Sequence, residues 1–301
     1  MSKDFSEKSY KKHEKHFKQY ARGGDKENHA NTWFDSTTVD AWRHQRMRRS
    51  IDPLLSDLDA SWLTVGDGRY GTDAHYIFDK GVKNVIATDI SDYLLREGKE
   101  KGFIPKFQKE NAENLSFSDG EFDYVLCKEA YHHFPRPVIA LYEMLRVCKK
   151  AVVLIEPNDP NILKTNRQIF FFGIKNIIKK RLNKKIEAHS FEESGNYVYS
   201  ISAREMEKIA LGINLSIIAY KGINDWYIEG VEYEKSNTDS LLFLKVKKII
   251  HIQNIFSTIG LINWGLLVII IFKEIPTESM REKLKIEGYK IIDLPKNPYI
   301  Q

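Results

Sequence analysis

Between residues 62 and 157, short apolar runs alternate with segments whose apolar residues recur at helical spacing. The runs are "WLTV" at 62–65, "NVIATD" at 84–89, "PKFQKE" at 105–110, "FDYVLC" at 122–127 and "AVVLIEP" at 151–157. The helical segments between them are "TDAHYIFDKG", "YLLREGKEKG" and "PRPVIALYEMLRVC". Strands that run parallel need crossover connections, and helices supply them. The pattern therefore predicts an α/β fold: a Rossmann-like, doubly wound sheet, mostly parallel, covered by helices on both faces.

After residue 160 the alternation breaks. A basic stretch and the loop "FEESGNYVYS" come first, then a helix opening at Ser202 with Glu205 three positions on, the spacing of a capping box. "LSIIAYKG" at 215–222 and "LLVIIIF" at 266–272 read as two more strands and bring the expected sheet to seven. This divides the chain into an N-terminal helical cap (1–50), a ligand-binding core (51–160), an insertion or lid (161–202), the second half of the sheet with its own insertion (203–274) and a polar tail that wraps the surface (275–301).

One uncharged stretch, residues 255–272, reaches the lower edge of membrane-spanning length. Asn263, Trp264 and Gly265 punctuate it, so it reads as a helix end, a turn and a strand buried on both faces. The N-terminus is charged from the start and lacks the apolar core of a signal peptide, which makes the cytoplasm the expected compartment. The only two cysteines, Cys127 and Cys148, lie in apolar surroundings and read as buried thiols. The net charge of +5 is modest for 301 residues and clustered, which argues against nucleic acid as a partner. The densest cluster, residues 174–185 behind "IFFFG", has two readings: a helix in peripheral contact with an anionic membrane surface through residues 170–185, or a solvated basic face.

The stretch "SWLTVGDGRYGTDA" (61–74) places Gly66, Gly68 and Gly71 directly after the first strand. Glycines there let backbone N–H groups face a ligand at the mouth of the next helix. Asp89 ends the second strand, followed by Ile90, where a carboxylate can accept hydrogen bonds from ribose hydroxyls. The same G-x-G-x-x-G spacing suits a dinucleotide, and Tyr76 and Lys80 have the Tyr-x-x-x-Lys spacing of short-chain dehydrogenases. That pair falls on the first helix after the loop, however, where it cannot face a nicotinamide.

Farther on, "KENAENLSFSDGEFDYVLCKEAYHHFPRP" (109–137) resembles the class I S-adenosylmethionine-dependent methyltransferases, in particular the broad bacterial small-molecule and glycan-type group. "LRVCKKAVVLIEP" fits that family's fifth helix and strand, and the resemblance spans roughly residues 60–160. It implies S-adenosylmethionine as cofactor, held by the loop residues Gly66, Asp67, Gly68, Arg69 and Gly71, by Asp89 and Ile90, by Asn111 on the adenine amino group with Ala112 beside it, and by Lys128 and Glu129 at the methionine end. Two positions depart from the pattern. Thr64 stands where the family commonly has an acid, with Asp67 the nearest substitute, and Tyr70 precedes the third glycine.

A methyl on a sulfonium is already activated, so transfer needs in-line positioning and, for a hydroxyl acceptor, a base. His132, His133 and Glu156 lie at the carboxyl edge of the predicted sheet and are the candidate catalytic residues. Trp42, Arg43, Arg46, Tyr197 and Tyr199 are the candidate acceptor-binding residues, since aromatics beside guanidinium groups can hold a small-molecule or glycan-type acceptor; hinge packing is their other reading. No Cys/His set has metal-ligand spacing, so no metal is expected. An NAD(P)-dependent oxidoreductase and a cofactor-binding module without turnover remain as alternatives.

Overall fold

The computed structural model describes residues 3–162, 165–181, 190–192 and 196–299. Five strands follow the apolar runs: β1 (Trp62–Val65), β2 (Val85–Asp89), β3 (Phe107–Lys109), β4 (Phe122–Lys128) and β5 (Cys148–Pro157). They pair in parallel through α4 (Thr72–Asp79), α5 (Tyr93–Glu100) and α6 (Pro137–Val147), preceded in the chain by α1 (Lys3–Lys18), α2 (Glu27–Asn31) and α3 (Val39–Arg48). Beyond β5 come α7 (Asn166–Arg181), α8 (Ala203–Gly212), β6 (Ile217–Ile223), α9 (Leu241–Thr258) and β7 (Leu266–Phe272). β7 inserts antiparallel between β5 and β6.

The strand order is β3-β2-β1-β4-β5-β7-β6-β8. The sheet thus has eight strands where the sequence pattern predicts seven. The extra one, β8 (Lys290–Asp293), comes from the tail, which was expected to wrap the surface. Instead the tail forms α10 (Glu278–Ile286), buries Leu284 and Tyr289, and pairs antiparallel with β6. The polar composition of the segment hides this because an edge strand needs only one covered face.

Alternation along the strands sorts the core into two layers. Trp62, Ala87, Leu126, Val153 and Ile270 pack under α4 and α10 on one face, while Leu63, Val125, Val152, Leu154 and Ile271 pack under α6 and α8 on the other. All seven residues of β7 are buried, as a strand covered on both faces requires. At the start of α8 the Ser202 hydroxyl accepts the Glu205 N–H at 3.1 Å, the cap that the spacing predicts. Both cysteines are free and buried.

Two smaller clusters tie the N-terminal helices down. Val39 on α3 packs with Phe243, Val246 and Ile250 of α9. Phe17, Tyr20 and Trp33 gather around the buried Tyr70 in the glycine loop. The strand order reverses between β1 and β4, and the crevice outside the carboxyl ends of strands at such a point is where open α/β sheets bind ligands.

Candidate active site

A cavity of about 750 Å³ opens at that switch point, with the glycine loop as its floor and α1 across its top. Gly66 takes a left-handed φ of +78°, and its backbone comes so close to Ala130 that a side chain there would collide. A Cβ on Gly68 would stand 2.8 Å from the Phe17 ring and 2.9 Å from Asp89 Oδ2. The loop is therefore a bare backbone cradle pressed between a strand-end carboxylate and an aromatic lid.

Asp89 lies at the carboxyl end of β2, and its Oδ1 accepts the Ser91 N–H at 2.8 Å. Burial pushes this carboxyl up to about 7, against the pull of the Ser91 and Gly68 N–H groups. Ile90, Asn111 and Ala112 continue the same wall, and Asn111 Oδ1 accepts the Glu113 N–H at 3.0 Å.

Asp67 has a different task. It lines the cavity, and its carboxylate accepts from Thr64 Oγ1 (2.9 Å), Asp73 N–H (3.1 Å) and Ala74 N–H (2.9 Å), so it also caps α4. Gly71, with φ +75°, packs its backbone on Ile104 and starts α4; it supports the loop and does not line the cavity.

At the opposite end a shell of charges surrounds the loop. Lys128 Nζ, at the end of β4, lies 3.1 Å from His44 Nδ1, 3.4 Å from Glu129 Oε2 and 3.5 Å from Asp73 Oδ1. Glu129 takes a left-handed φ of +50° that swings its carboxylate to within 3.1 Å of His44. Burial works to raise the Glu129 carboxyl, but Lys128 and His44 outweigh it and hold it well below the ordinary range. Burial and the neighbouring Lys128 lower the His44 imidazole. Asp40 on α3 joins the shell, 3.6 Å from His44 and 3.8 Å from Arg69.

On the third side stand two histidines. His132 Nδ1 is 2.6 Å from Glu156 Oε2, and Glu156 Oε1 accepts the N–H groups of Ala130 (2.9 Å) and Tyr131 (3.0 Å). Glu156 is 0% exposed. It acts behind His132 and does not face the cavity, which corrects its expected place among the reacting groups. Burial pulls the His132 imidazole down, yet Glu156 outweighs burial and raises it above its ordinary value. His133 lies against His132 with ring centroids 3.9 Å apart and planes tilted by 44°, and pairs with Glu192.

His132, His133 and Glu192 bring three donor atoms within 4.8 Å of one another, a constellation that sequence spacing does not predict because Glu192 lies about 60 residues downstream. In the structure each histidine is already matched to a carboxylate. Burial and the nearby His133 hold His13, on α1, down at about 4.

The candidate acceptor residues divide. Arg43 reaches the cavity, but its guanidinium is held by Asp40 (2.8 Å) and Asp225 (3.1 Å from Nε). Trp42 packs edge-on against Phe243, Arg46 lies over Trp42 and donates to the Asn224 carbonyl at 3.2 Å, and neither lines the cavity. Tyr197 and Tyr199 pack on each other outside it, where the Tyr199 N–H donates to the His132 carbonyl at 3.3 Å. Phe191, Glu192, Asn196 and Tyr227 stand in their place.

The expected N-terminal helical cap supplies a wall of the cavity through α1, on residues that the sequence reading does not single out. Tyr10, His13, Phe17 and Tyr20 recur at 3, 4 and 3 residues, a helical stripe, and all four line the cavity. Tyr10 donates to Glu113 at 2.5 Å, which fixes the helix over the wall that Asn111 and Ala112 form. The dehydrogenase-like pair points elsewhere: Tyr76 donates to Asp52 at 2.6 Å and Lys80 lies 3.4 Å from the same carboxylate, both outside this cavity.

Residues 63–155 match the family described as methyltransferase domain. This stretch is a class I S-adenosylmethionine-dependent methyltransferase domain. The chain is 35% identical over 115 residues to the demethylmenaquinone methyltransferase of Staphylococcus carnosus (strain TM300), a match covering 36% of this chain and 47% of that protein. The chain thus spans about half the length of the curated relative it matches. Among solved structures, it superimposes on an S-adenosylmethionine-dependent methyltransferase from Archaeoglobus fulgidus with a TM-score of 0.47 and 16% identity, over 76% of this chain and 92% of the other. For the magnesium protoporphyrin IX methyltransferase of Synechocystis PCC 6803 with bound S-adenosylhomocysteine, the TM-score is 0.44 at 13% identity, over 77% of this chain and 84% of the other. No helix among the described residues of the chain is long and apolar enough to cross a membrane.

Proposed function

We propose that this chain transfers the methyl group of S-adenosylmethionine to a hydroxyl oxygen of a small-molecule or glycan-type acceptor. The observation that carries the reading is the meeting, in one cavity, of the bare Gly66–Gly68 cradle, the Asp89 carboxylate and the Glu156-held His132. The cofactor, when bound, supplies a methyl already activated on a sulfonium.

The chain's own residues then have the following work. Asp89 accepts hydrogen bonds from the ribose hydroxyls, as a strand-end acid next to a glycine loop can. Asn111 and Ala112 bound the adenine. Lys128 and Glu129 take the methionine end, with Glu129 supplying the acid that Thr64 lacks; its left-handed backbone is the kind of strain that persists at functional sites. His132 accepts the acceptor's proton at its outer ring nitrogen, and Glu156 stabilises the imidazolium that results. Alpha-helix α1 excludes water from above.

The relative from Staphylococcus carnosus is named for demethylmenaquinone, which keeps small-molecule acceptors at the front of any screen. Calorimetric titration with S-adenosylmethionine, S-adenosylhomocysteine and NADH tests the reading, alongside Asp89→Ala. The expected result is binding of the first two, weakened about 10- to 100-fold by the substitution, the worth of a hydrogen bond to a charged group. Binding of NADH alone moves the assignment to an oxidoreductase. Cofactor binding with no transfer across a broad panel of hydroxyl acceptors leaves a binding module without turnover.

A further inference from the structure

Helix α7 carries apolar side chains on its exposed surface. Of its described side chains only Gln168 is buried, while Ile169, Phe170 (65% exposed), Ile174 and Ile177 (58%) face outward. Apolar groups left in water at this density mark a surface that something else covers. Helix α9 repeats the pattern. It buries Phe243, Val246 and Ile250 and turns the stripe Leu241, Leu244, Ile252, Ile255 and Ile259 outward, with Leu241 83% exposed.

The two surfaces meet. Thr165 Oγ1 donates to the Gly260 carbonyl at 3.0 Å and Arg167 donates to the Ile259 carbonyl at 3.3 Å, which joins the start of α7 to the end of α9. Neither helix contains an Asp or Glu, whereas α7 carries five Lys or Arg residues and α9 carries three. We propose that the α7–α9 face docks this chain on an anionic membrane surface, with its apolar stripes in the headgroup boundary and its cations on lipid phosphates.

Charge decides the occupant. A second copy related by a two-fold axis would set this cationic face against itself, and like charges across an interface are costly. An anionic bilayer offers apolar depth and negative charge together, and helices of this kind lie in its plane. The absence of a spanning helix among the described residues agrees with lying on the bilayer and not crossing it. Residues 182–185, the end of the basic run singled out in the sequence, lie outside the described residues.

The face also lies at the sheet edge that carries the cavity. α7 follows β5, and the turn that ends α9 delivers Gly265, whose carbonyl accepts the Asn158 N–H at 3.0 Å just past the carboxyl end of β5. Docking therefore turns this sheet edge toward the bilayer, and an acceptor carried in the membrane can reach the cavity from it. Docking stands apart from the methyl-transfer reading; only this corollary rests on it.

The full chain is sedimented with vesicles of phosphatidylcholine alone and of phosphatidylcholine mixed with phosphatidylglycerol, while light scattering records its oligomeric state. The expected result is binding to the mixed vesicles, released by salt, and weakened about fivefold by each of Lys245→Ala and Lys248→Ala. Ile177→Asp and Ile255→Asp are expected to abolish it with the melting temperature unchanged, since both side chains are exposed. Failure to bind the mixed vesicles, or binding that those four substitutions leave intact, overturns the proposal. A dimer that Ile177→Asp dissociates, without vesicle binding, overturns it too and assigns the face to a second copy.

Discussion

Two carboxylates show how burial sets function at the scale of a single residue. Asp89 is held at about 7 because it is buried before any ligand arrives. Its raised value means that the ionised folded state is penalised above the ordinary carboxylate range, fully so once pH passes about 7. Asp89→Asn is therefore expected to stabilise the free protein at pH 8 by roughly 2–4 kcal/mol, measured by urea unfolding, while it weakens the cofactor. Equal or lower stability would mean that the folded state tolerates the charge. Glu156 works the other way. It raises His132, so His132 adds stability that is complete below its ordinary value of 6.5 and is lost as pH rises through the folded value. Glu156→Gln keeps one oxygen for the Ala130 and Tyr131 N–H groups but loses the charge. The acid limb of the pH–rate profile is expected to move to lower pH, and the stability lost to be greater at pH 5 than at pH 8. A limb that stays put removes His132 from proton transfer.

Helix α1 is the element that the cavity depends on and that belongs to none of the sheet. Phe17 presses on the Gly68 backbone and Tyr10 is tied to Glu113. Phe17→Ala is expected to speed S-adenosylhomocysteine release by about tenfold, from the lost burial of an aromatic ring, and to leave the association rate nearly unchanged; stopped-flow fluorescence reads both. Gly68→Ala is expected to fail in a different manner, because its Cβ meets Asp89 as well as Phe17 and neither can withdraw without opening the cradle. Binding in that variant falls at least tenfold, and the double change with Phe17→Ala does not restore it.

For the whole molecule, the tail is structural. β8 closes the sheet beyond β6, Leu284 is buried beneath α10, and the buried Tyr289 hydroxyl donates to the Ser50 carbonyl at 2.8 Å across 239 residues of chain. Ending the chain at residue 274 is expected to cost several kcal/mol, because the buried Leu284 and Tyr289 and a whole strand are removed from the fold. Thermal unfolding would then begin well below that of the full chain. A truncated chain that melts with the intact one would mean that β8 merely rests on the edge.

The sequence by itself determined the parallel half of the sheet, the cradle and Asp89. These are local facts: strand period, helical period, and glycines at a turn between them, each encoded within a dozen residues. It also determined His132, since a motif after the fourth strand can end only at that sheet edge. Tertiary structure decided what closes the site. Whether Glu156 faces the cavity or the back of His132, whether Arg43 is free or spent on Asp225, and whether α1 or the Tyr197 loop forms the wall depend on contacts over tens to hundreds of residues. Such contacts leave no period in the chain. They follow from which faces remain uncovered once the sheet has formed.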